Sequence, residues 1–112
     1  MSFSIYSQDP CTQLRFSGES CQADHVTQLE QLMTELGDAH LIVDFLTAGE
    51  FGDIDAMQQL MEDRMDRGLT CVYIVQEALL DQFDDTLAFV PTQVEATDWY
   101  DMEDLQRQLL DS

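Results

Sequence analysis

Acidic side chains near the middle of the chain are the first candidates for chemistry. Glu50, Asp53 and Asp55 lie close together in the sequence. Carboxylates and histidines at suitable spacing can hold a metal ion that activates water for hydrolysis. His25 and His40, however, lie far from these acids along the chain, and the sequence contains no HxxxH or HxH motif. Metal-dependent hydrolysis therefore lacks its usual ligand pattern, and we expect neither a metal nor a cofactor.

The possible nucleophiles form no catalytic pattern either. The sequence has no GxSxG motif and no glycine-rich phosphate loop. Cys11, Cys21 and Cys71 form no CxxC pair, and an odd number of cysteines is a poor disulfide framework. We expect three free thiols, buried or partly buried, and a protein that is not an enzyme.

An aspartate after a buried strand also raises the possibility of an aspartyl-phosphate receiver. Asp44 follows the apolar run 41–43, which fits a central strand buried on both faces. Such receivers also need an acidic pair after the first strand and a lysine after a late strand. The sequence has no lysine, and its first strands carry no acidic pair. We therefore expect Asp44 to hydrogen-bond the loop that follows it.

Composition limits the class of protein further. The chain has 112 residues, 45% of them hydrophobic, which suits one globular domain over 1–112. Twenty-three acids face four arginines, for a formal net charge of -19. Such a surface repels nucleic acids and anionic membranes and attracts basic proteins, although solubility or a saline cytoplasm would also explain it. With no signal-peptide pattern and no apolar run of about 20 residues, the protein is expected in the cytoplasm.

The central acids belong to the segment 40–69, which predicts a strand, a loop and a helix. The loop contains Gly49 and Gly52, and Asp53 is placed to cap the helix that follows. Apolar residues recur at helical spacing and predict the buried side of this helix: Ile54, Met57, Leu60, Met61 and Met65. Asp53 and Asp55 therefore lie where the helix begins.

The first part of the chain predicts a hairpin and a helix. Two short strands joined by a turn at 8–10 carry alternating apolar residues, which predicts an antiparallel pair: Phe3 and Ile5, then Leu14 and Phe16. Asp24 is expected to cap the first helix, and Gly37 to end it. The inward side of that helix is predicted at helical spacing: Val26, Leu29, Leu32, Met33 and Leu36.

The last part of the chain predicts two more strands and two more helices. One strand covers Cys71–Val75, a helix runs from Glu77 to the residue before Pro91, and a short edge strand covers 92–97. Asp98 is expected to cap the last helix, whose apolar residues face inward: Trp99, Met102, Leu105, Leu109 and Leu110. The chain thus predicts an α/β domain with a mixed sheet of four to five strands, an N-terminal antiparallel hairpin and about four helices.

This order, and above all the segment around Asp44, resembles the STAS domain, the fold of bacterial anti-sigma factor antagonists. The centre of that family reads approximately Asp-Leu-Ser-x-Val-x-Phe-(Ile/Met)-Asp-Ser-Ser-Gly-Leu, followed by an amphipathic helix. The start resembles Asp44-Phe45-Leu46, and the end resembles residues 51–57 after one extra loop residue. The segments GLTCVYIV, LLDQFDDTLAF and TDWYDMEDLQRQL are similar to the family's next strand, third helix and acidic last helix. The resemblance implies a single-domain STAS-like fold.

In that family, a serine at the helix start is phosphorylated by a partner kinase that is also an anti-sigma factor, and phosphorylation releases the partner. Here the two serine slots hold Ile54 and Asp55, or Asp53 takes the second slot if the gap moves by one residue. No hydroxyl side chain lies between Thr47 and Thr70. The resemblance therefore implies a surface without the serine switch, with Asp55 or Asp53 as a fixed negative charge.

The resemblance implies a non-catalytic regulatory module that binds a basic partner protein, such as an anti-sigma factor that is also a serine kinase. The expected contact surface is the loop and the exposed side of its helix: Gly49, Glu50, Gly52, Asp53, Ile54, Asp55, Met57, Gln58, Glu62 and Asp66. One alternative is an accessory STAS subunit of a transporter or signalling assembly, and another is an acidic mimic of nucleic acid. Asp53 as a plain cap and Asp55 as a first-turn acid need no function at all.

Overall fold

A mixed five-stranded sheet forms the centre of the computed structural model, which describes residues 2–8 and 11–110. Its strands are β1 Phe3–Ser7, β2 Thr12–Phe16, β4 Leu41–Asp44, β6 Cys71–Ile74 and β7 Phe89–Val90. They lie in the order β1-β2-β4-β6-β7, with β1 and β2 antiparallel and the other neighbours parallel. A separate parallel pair joins β3 Ser20–Cys21 to β5 Glu50–Phe51. The predicted α/β class and the N-terminal antiparallel hairpin are confirmed, while the turn residues Asp9 and Pro10 lie outside the described residues.

The helices cover both faces of the sheet. They are α1 Ala23–Leu36, α2 Ile54–Asp66, a 3-10 helix Glu77–Gln82 and α3 Gln93–Leu110. On one face the Tyr73 hydroxyl donates to the Met57 carbonyl oxygen of α2 at 3.1 Å. On the other the Thr70 hydroxyl donates to Glu103 of α3 at 2.7 Å. Because successive side chains of a strand point to opposite faces, α2 and α3 lie on opposite sides of the sheet.

The central strands are buried from both sides, as their unbroken apolar runs predict. Leu41, Ile42 and Val43 of β4 are at most 1% exposed, and residues 71–75 are equally buried. A parallel sheet with helices on both faces needs apolar residues at every strand position. Phe45, just after β4, contacts the rings of Phe16 and Tyr73, so the central strand ends inside an aromatic cluster.

In the last third of the chain, the helix predicted from Glu77 is confirmed in its start but not in its length, and the strand predicted at 92–97 is wrong. The helix predicted from Glu77 is a 3-10 helix that stops at Gln82, and β7 lies before Pro91. The strand predicted at 92–97 belongs to the start of α3. The Thr92 hydroxyl accepts a hydrogen bond from the Glu95 backbone N–H at 3.2 Å and donates to the Glu95 carboxylate at 3.0 Å. Thr92 is thus a side-chain N-cap with the Thr-x-x-Glu spacing of a capping box, so the helix begins five residues before Asp98, which lies in its interior.

The predicted cap of α1 is also misplaced. The helix starts at Ala23, and the backbone N–H of Gln22 donates to Nδ1 of His25 at 3.1 Å, which makes Gln22 the cap and Asp24 a first-turn acid. Gly37 ends the helix with a φ of 62°, as predicted. Among the described residues, none of the helices has the length and apolar character required to span a membrane.

Candidate functional site

The loop between β4 and α2 is attached to the segment before α1. The Gly49 backbone N–H donates to the Glu19 carbonyl oxygen at 2.8 Å, and the Gly52 N–H donates to the Cys21 carbonyl oxygen at 2.8 Å. Between these bonds, β5 pairs with β3. A Cβ at Gly52 would meet the side-chain oxygen of Gln22 at 2.1 Å, so a larger residue there would displace the Gln22 side chain.

Side-chain hydrogen bonds hold the first half of the same loop. Gln76, just after β6, donates from Nε2 to the carbonyl oxygens of Leu46 at 2.9 Å and Ala48 at 3.2 Å. The Thr47 hydroxyl lies 2.8 Å from the Gly18 carbonyl oxygen and 3.1 Å from that of Phe16. These contacts connect the loop to the ends of β2 and β6.

Asp44 is a structural residue, as predicted. Its Oδ1 accepts a hydrogen bond from the Leu46 backbone N–H at 2.9 Å. Its other carboxylate oxygen lies 3.7 Å from Nε of Arg15. The carboxylate thus turns the chain out of β4 into the loop.

The two aspartates at the start of α2 have different roles. Asp53 is the N-cap, as predicted, and its Oδ1 accepts from the Ala56 backbone N–H at 3.2 Å. Ile54 is half-buried and packs against the core. Asp55 is exposed in the first turn and makes no hydrogen bond or ion pair with the residues that the structure describes. Asp53 is thus occupied in building the helix, while the carboxylate of Asp55 is available to solvent.

The rest of the predicted surface includes exposed and half-buried residues. Gly49, Gly52, Glu50 and Asp66 are exposed, and Glu50 accepts a hydrogen bond from the Ser20 hydroxyl at 3.0 Å. Gln58 and Glu62 are half-buried; the side-chain oxygen of Gln58 accepts from the Asp84 N–H at 2.8 Å.

Met57 does not belong to this surface. Its side chain is 0% exposed because α2 turns it towards the sheet, where the Met57 carbonyl also accepts from Tyr73. Met61 is 0% exposed as well, and Met65 is half-buried against the core. The methionine side of α2 fills the core and is closed to a partner.

Arg64 and Arg67 contact the end of α1 and the residues just after it, not the 49–57 loop. Arg64 is 3% exposed, and its guanidinium donates to carbonyl oxygens at and beyond the end of α1: Met33 at 3.5 Å, Gly37 at 2.9 Å and Ala39. Arg67 forms an ion pair with Asp38. Because segment 49–57 contains three acids and no cation, its negative charge is not compensated locally.

The three cysteines are buried in the core, and His40 is partly buried. Cys11, Cys21 and Cys71 are free and buried, as predicted. Burial raises the pKa of the Cys11 and Cys21 thiols to about 11 and that of Cys71 to about 12. His40 accepts from the Thr70 N–H at 3.0 Å, and burial lowers its pKa. Within residues 2–8 and 11–110, no group of three His, Cys, Asp or Glu side chains is arranged to hold a metal ion.

A second exposed surface lies on α3, where the prediction was inward-facing side chains. That prediction is wrong for four residues, which are 57% to 85% exposed: Met102, Leu105, Leu109 and Leu110. Trp99 is half-buried, and its indole N–H donates to Glu103 at 3.0 Å. The side of α3 that meets the sheet instead carries the buried Ala96 and Tyr100.

Polar contacts fix this orientation of α3. Glu103 accepts from both the Thr70 hydroxyl and the Trp99 indole. Arg107 donates to the Thr70 hydroxyl oxygen at 2.9 Å, with its guanidinium 5.8 Å from the Tyr100 ring centroid. Helical periodicity could not predict this orientation. It identifies an apolar stripe but does not show which side of the helix contacts the sheet.

Comparisons with protein-family models, curated proteins and solved structures give no match.

The side chains of the 49–57 surface offer carboxylates at a helix start, on a loop held by backbone hydrogen bonds. Such an arrangement accepts hydrogen bonds and attracts cationic groups. Its function is therefore inferred from this geometry and from the sequence resemblance.

Proposed function

We propose that the protein is a non-catalytic regulatory module that binds a partner protein through the 49–57 surface. The observation that carries this proposal is the exposed carboxylate of Asp55, which stands at the start of α2 and makes no hydrogen bond or ion pair with the described residues. Glu50 adds a second exposed acid on the same loop. A surface with two such acids and no cation favours a partner with a basic face.

The resemblance to STAS domains supports a more specific partner. A strand that ends at Asp44, a glycine-containing loop and a capped helix follow one another as the resemblance implies. We therefore propose an anti-sigma factor antagonist-like role in the cytoplasm of a bacterium. The partner would be an anti-sigma factor that is also a serine kinase.

The chemistry at the helix start supports a surface that is not switched by serine phosphorylation. Asp55, or Asp53 in the alternative alignment, stands where the family carries the modified serine. Thr47, the nearest hydroxyl before this position, already hydrogen-bonds to the segment before α1. Asp55 then acts as a permanent negative charge, smaller than that of a phosphate.

Affinity capture with charge-reversed variants tests the proposal. The wild type and Asp55→Lys are used as baits in extracts of the native cell, with Glu35→Lys as the matched control. Glu35 is an exposed acid near the carboxyl end of α1, and the parallel crossovers place that end at the edge of the sheet opposite 49–57. Both substitutions change the net charge by the same amount.

We expect the wild type and Glu35→Lys to retain an ATP-binding kinase-like protein, identified by mass spectrometry, and Asp55→Lys to lose most of it. Equal retention by all three baits would remove the 49–57 surface from the proposal. Recovery of a membrane ATPase complex would favour the accessory-subunit alternative, and recovery of a DNA-binding protein would favour the nucleic-acid mimic.

Phosphorylation is tested separately by intact mass. The protein is incubated with the captured kinase and ATP, and its mass is measured before and after. We expect no added phosphate on residues 49–57. Stoichiometric phosphate there would contradict the permanent charge proposed for Asp55.

A further inference from the structure

The outward side of α3 carries an exposed apolar stripe that the 49–57 surface does not include. Met102 is 64% exposed, Leu105 57% and Leu109 67%. A shallow cavity of about 320 Å³ lies beside the stripe, lined by Trp99, Met102, Glu103 and Gln106. Clustered apolar side chains on the surface of a protein usually mark an interaction site.

The spacing of the stripe is that of a helix-packing seam. Met102, Leu105 and Leu109 follow one another at intervals of three and four residues, as in helices that pack side by side. At about 100° per residue they share one side of α3, roughly opposite Ala96 and Tyr100, and the three span about 10 Å along its axis. The stripe therefore fits two turns of a neighbouring helix.

The negative charge around the stripe indicates which kind of partner would bind it. Along α3 there are five carboxylates and one arginine, and the exposed Asp98 and Asp101 flank the start of the stripe. The only cation of the helix, Arg107, is directed towards Thr70 and Tyr100 on the sheet side. We propose that the stripe docks an amphipathic helix of a partner protein, with its apolar side on Met102 and Leu105 and with lysines or arginines beside Asp98 and Asp101.

The same charges argue against other occupants. A second copy of this chain would bring another α3 with the same five carboxylates into a seam about 10 Å wide, and each chain carries -19 overall. An anionic membrane would be repelled for the same reason. A basic helix gains both the apolar contact and the ion pairs.

This stripe is separate from the 49–57 surface. α3 packs on the face of the sheet opposite α2, and its stripe points away from that sheet. The two surfaces can therefore be occupied together, and each can be tested without the other.

A synthetic peptide provides the test. The intact protein is titrated with a two-heptad peptide of leucine and lysine, its leucines spaced at three and four residues, and backbone amide shifts are followed by NMR. The variant Met102→Ser/Leu105→Ser removes the centre of the stripe. Ile5→Ser, which removes an exposed apolar side chain of β1, is the control, and a peptide with glutamate in place of lysine tests the charge.

We expect the lysine peptide to shift amides of residues 98–110, with affinity reduced at least tenfold in the double variant and unchanged in Ile5→Ser. The glutamate peptide should not bind. Shifts centred on 49–57, or equal affinity for the double variant, would overturn the proposal, although shifts at 49–57 would leave the proposed function standing. Dimerisation through α3 in analytical ultracentrifugation, or binding of α3 to phosphatidylcholine vesicles, would replace the proposed occupant and overturn it as well.

Discussion

Helices α2 and α3 each carry an apolar stripe, but only α2 packs its stripe on the sheet. Met57 and Met61 of α2 are 0% exposed, whereas Met102 of α3 is 64% exposed. The difference arises on the sheet side: α2 meets Tyr73 and the apolar core, while α3 binds Thr70 through Glu103 and Arg107. An apolar stripe therefore does not show by itself which side of a helix packs on the sheet. In α3, polar contacts hold the other side against the sheet and leave the apolar stripe exposed.

We expect the largest change in stability when the pH is raised, because high pH ionises the thiols that are buried in the core. Burial raises the pKa of Cys21 from 9.0 to about 11 and that of Cys71 from 9.0 to about 12. Between these values the unfolded chain releases protons that the folded protein keeps, so the free energy of unfolding falls as pH rises. In this respect the free energy of unfolding should not depend on pH below about pH 9, and it should fall progressively as the pH rises through about 11 and 12. Urea unfolding under reducing conditions, followed by Trp99 fluorescence, measures it.

Cys71→Ala is the control for this prediction. The variant lacks the most strongly shifted thiol, so its stability should fall less steeply between pH 9 and 12. An unchanged slope would mean that Cys71 does not ionise on unfolding in that range.

Arg64→Met should cost about 4 kcal/mol of the free energy of unfolding, measured by urea denaturation. The substitution leaves the carbonyl oxygens at the end of α1 without their buried donor, and each unsatisfied group costs about 1–3 kcal/mol. Arg67→Met is a matched control three residues away. Since Arg67 pairs with Asp38 at the surface, its loss should cost below about 1 kcal/mol. Equal costs would show that the buried guanidinium does not hold α2 to α1.

Met57→Ala and Met102→Ala compare the two stripes directly. Met57→Ala leaves a cavity against the sheet and should cost about 3 kcal/mol, while Met102→Ala should change stability by less than about 0.5 kcal/mol. Thermal or urea unfolding of both variants measures the difference. A comparable loss from Met102→Ala would mean that the α3 stripe is covered in solution.

The smallest effects separate the two aspartates at the start of α2. Asp53→Ala removes the cap and should cost about 1 kcal/mol. Asp55→Ala removes only a favourable charge near the helix start and should cost about 0.5 kcal/mol. Urea midpoints measure both. A larger cost for Asp55→Ala than for Asp53→Ala would contradict the roles that the structure gives them.

Patterns that are long and have a single interpretation could be predicted from the sequence. Strands β4 and β6 follow from unbroken apolar runs, and α2 follows from Asp53 and the helical spacing behind it. Short elements could not: β3 and β5 have two residues each, too few to show any period. Their pairing joins Ser20 to Glu50 and Cys21 to Phe51, which are remote from each other in sequence.

Other errors arose from competing sequence signals or from contacts that are remote in sequence. Val94 and Ala96 alternate with polar residues and so predicted a strand, yet Thr92 and Glu95 have the spacing of a capping box, and the helix prevailed. The outward direction of the α3 stripe gave no local signal because it depends on the hydrogen bonds of Arg107 and Glu103 with Thr70, which is remote in sequence. Nor could the burial of Arg64 be predicted, since its acceptors are backbone carbonyls at and beyond the end of another helix.

The backbone hydrogen bonds of Gly49 and Gly52 should protect this loop from amide exchange, as hydrogen bonds do in helices and sheets. Their amide hydrogens are held by Glu19 and Cys21, so they should exchange with solvent slowly for loop residues. A molecule that binds this loop finds its backbone already ordered and need not restrict it further. The conformational entropy lost on binding is then confined to side chains such as Glu50 and Asp55.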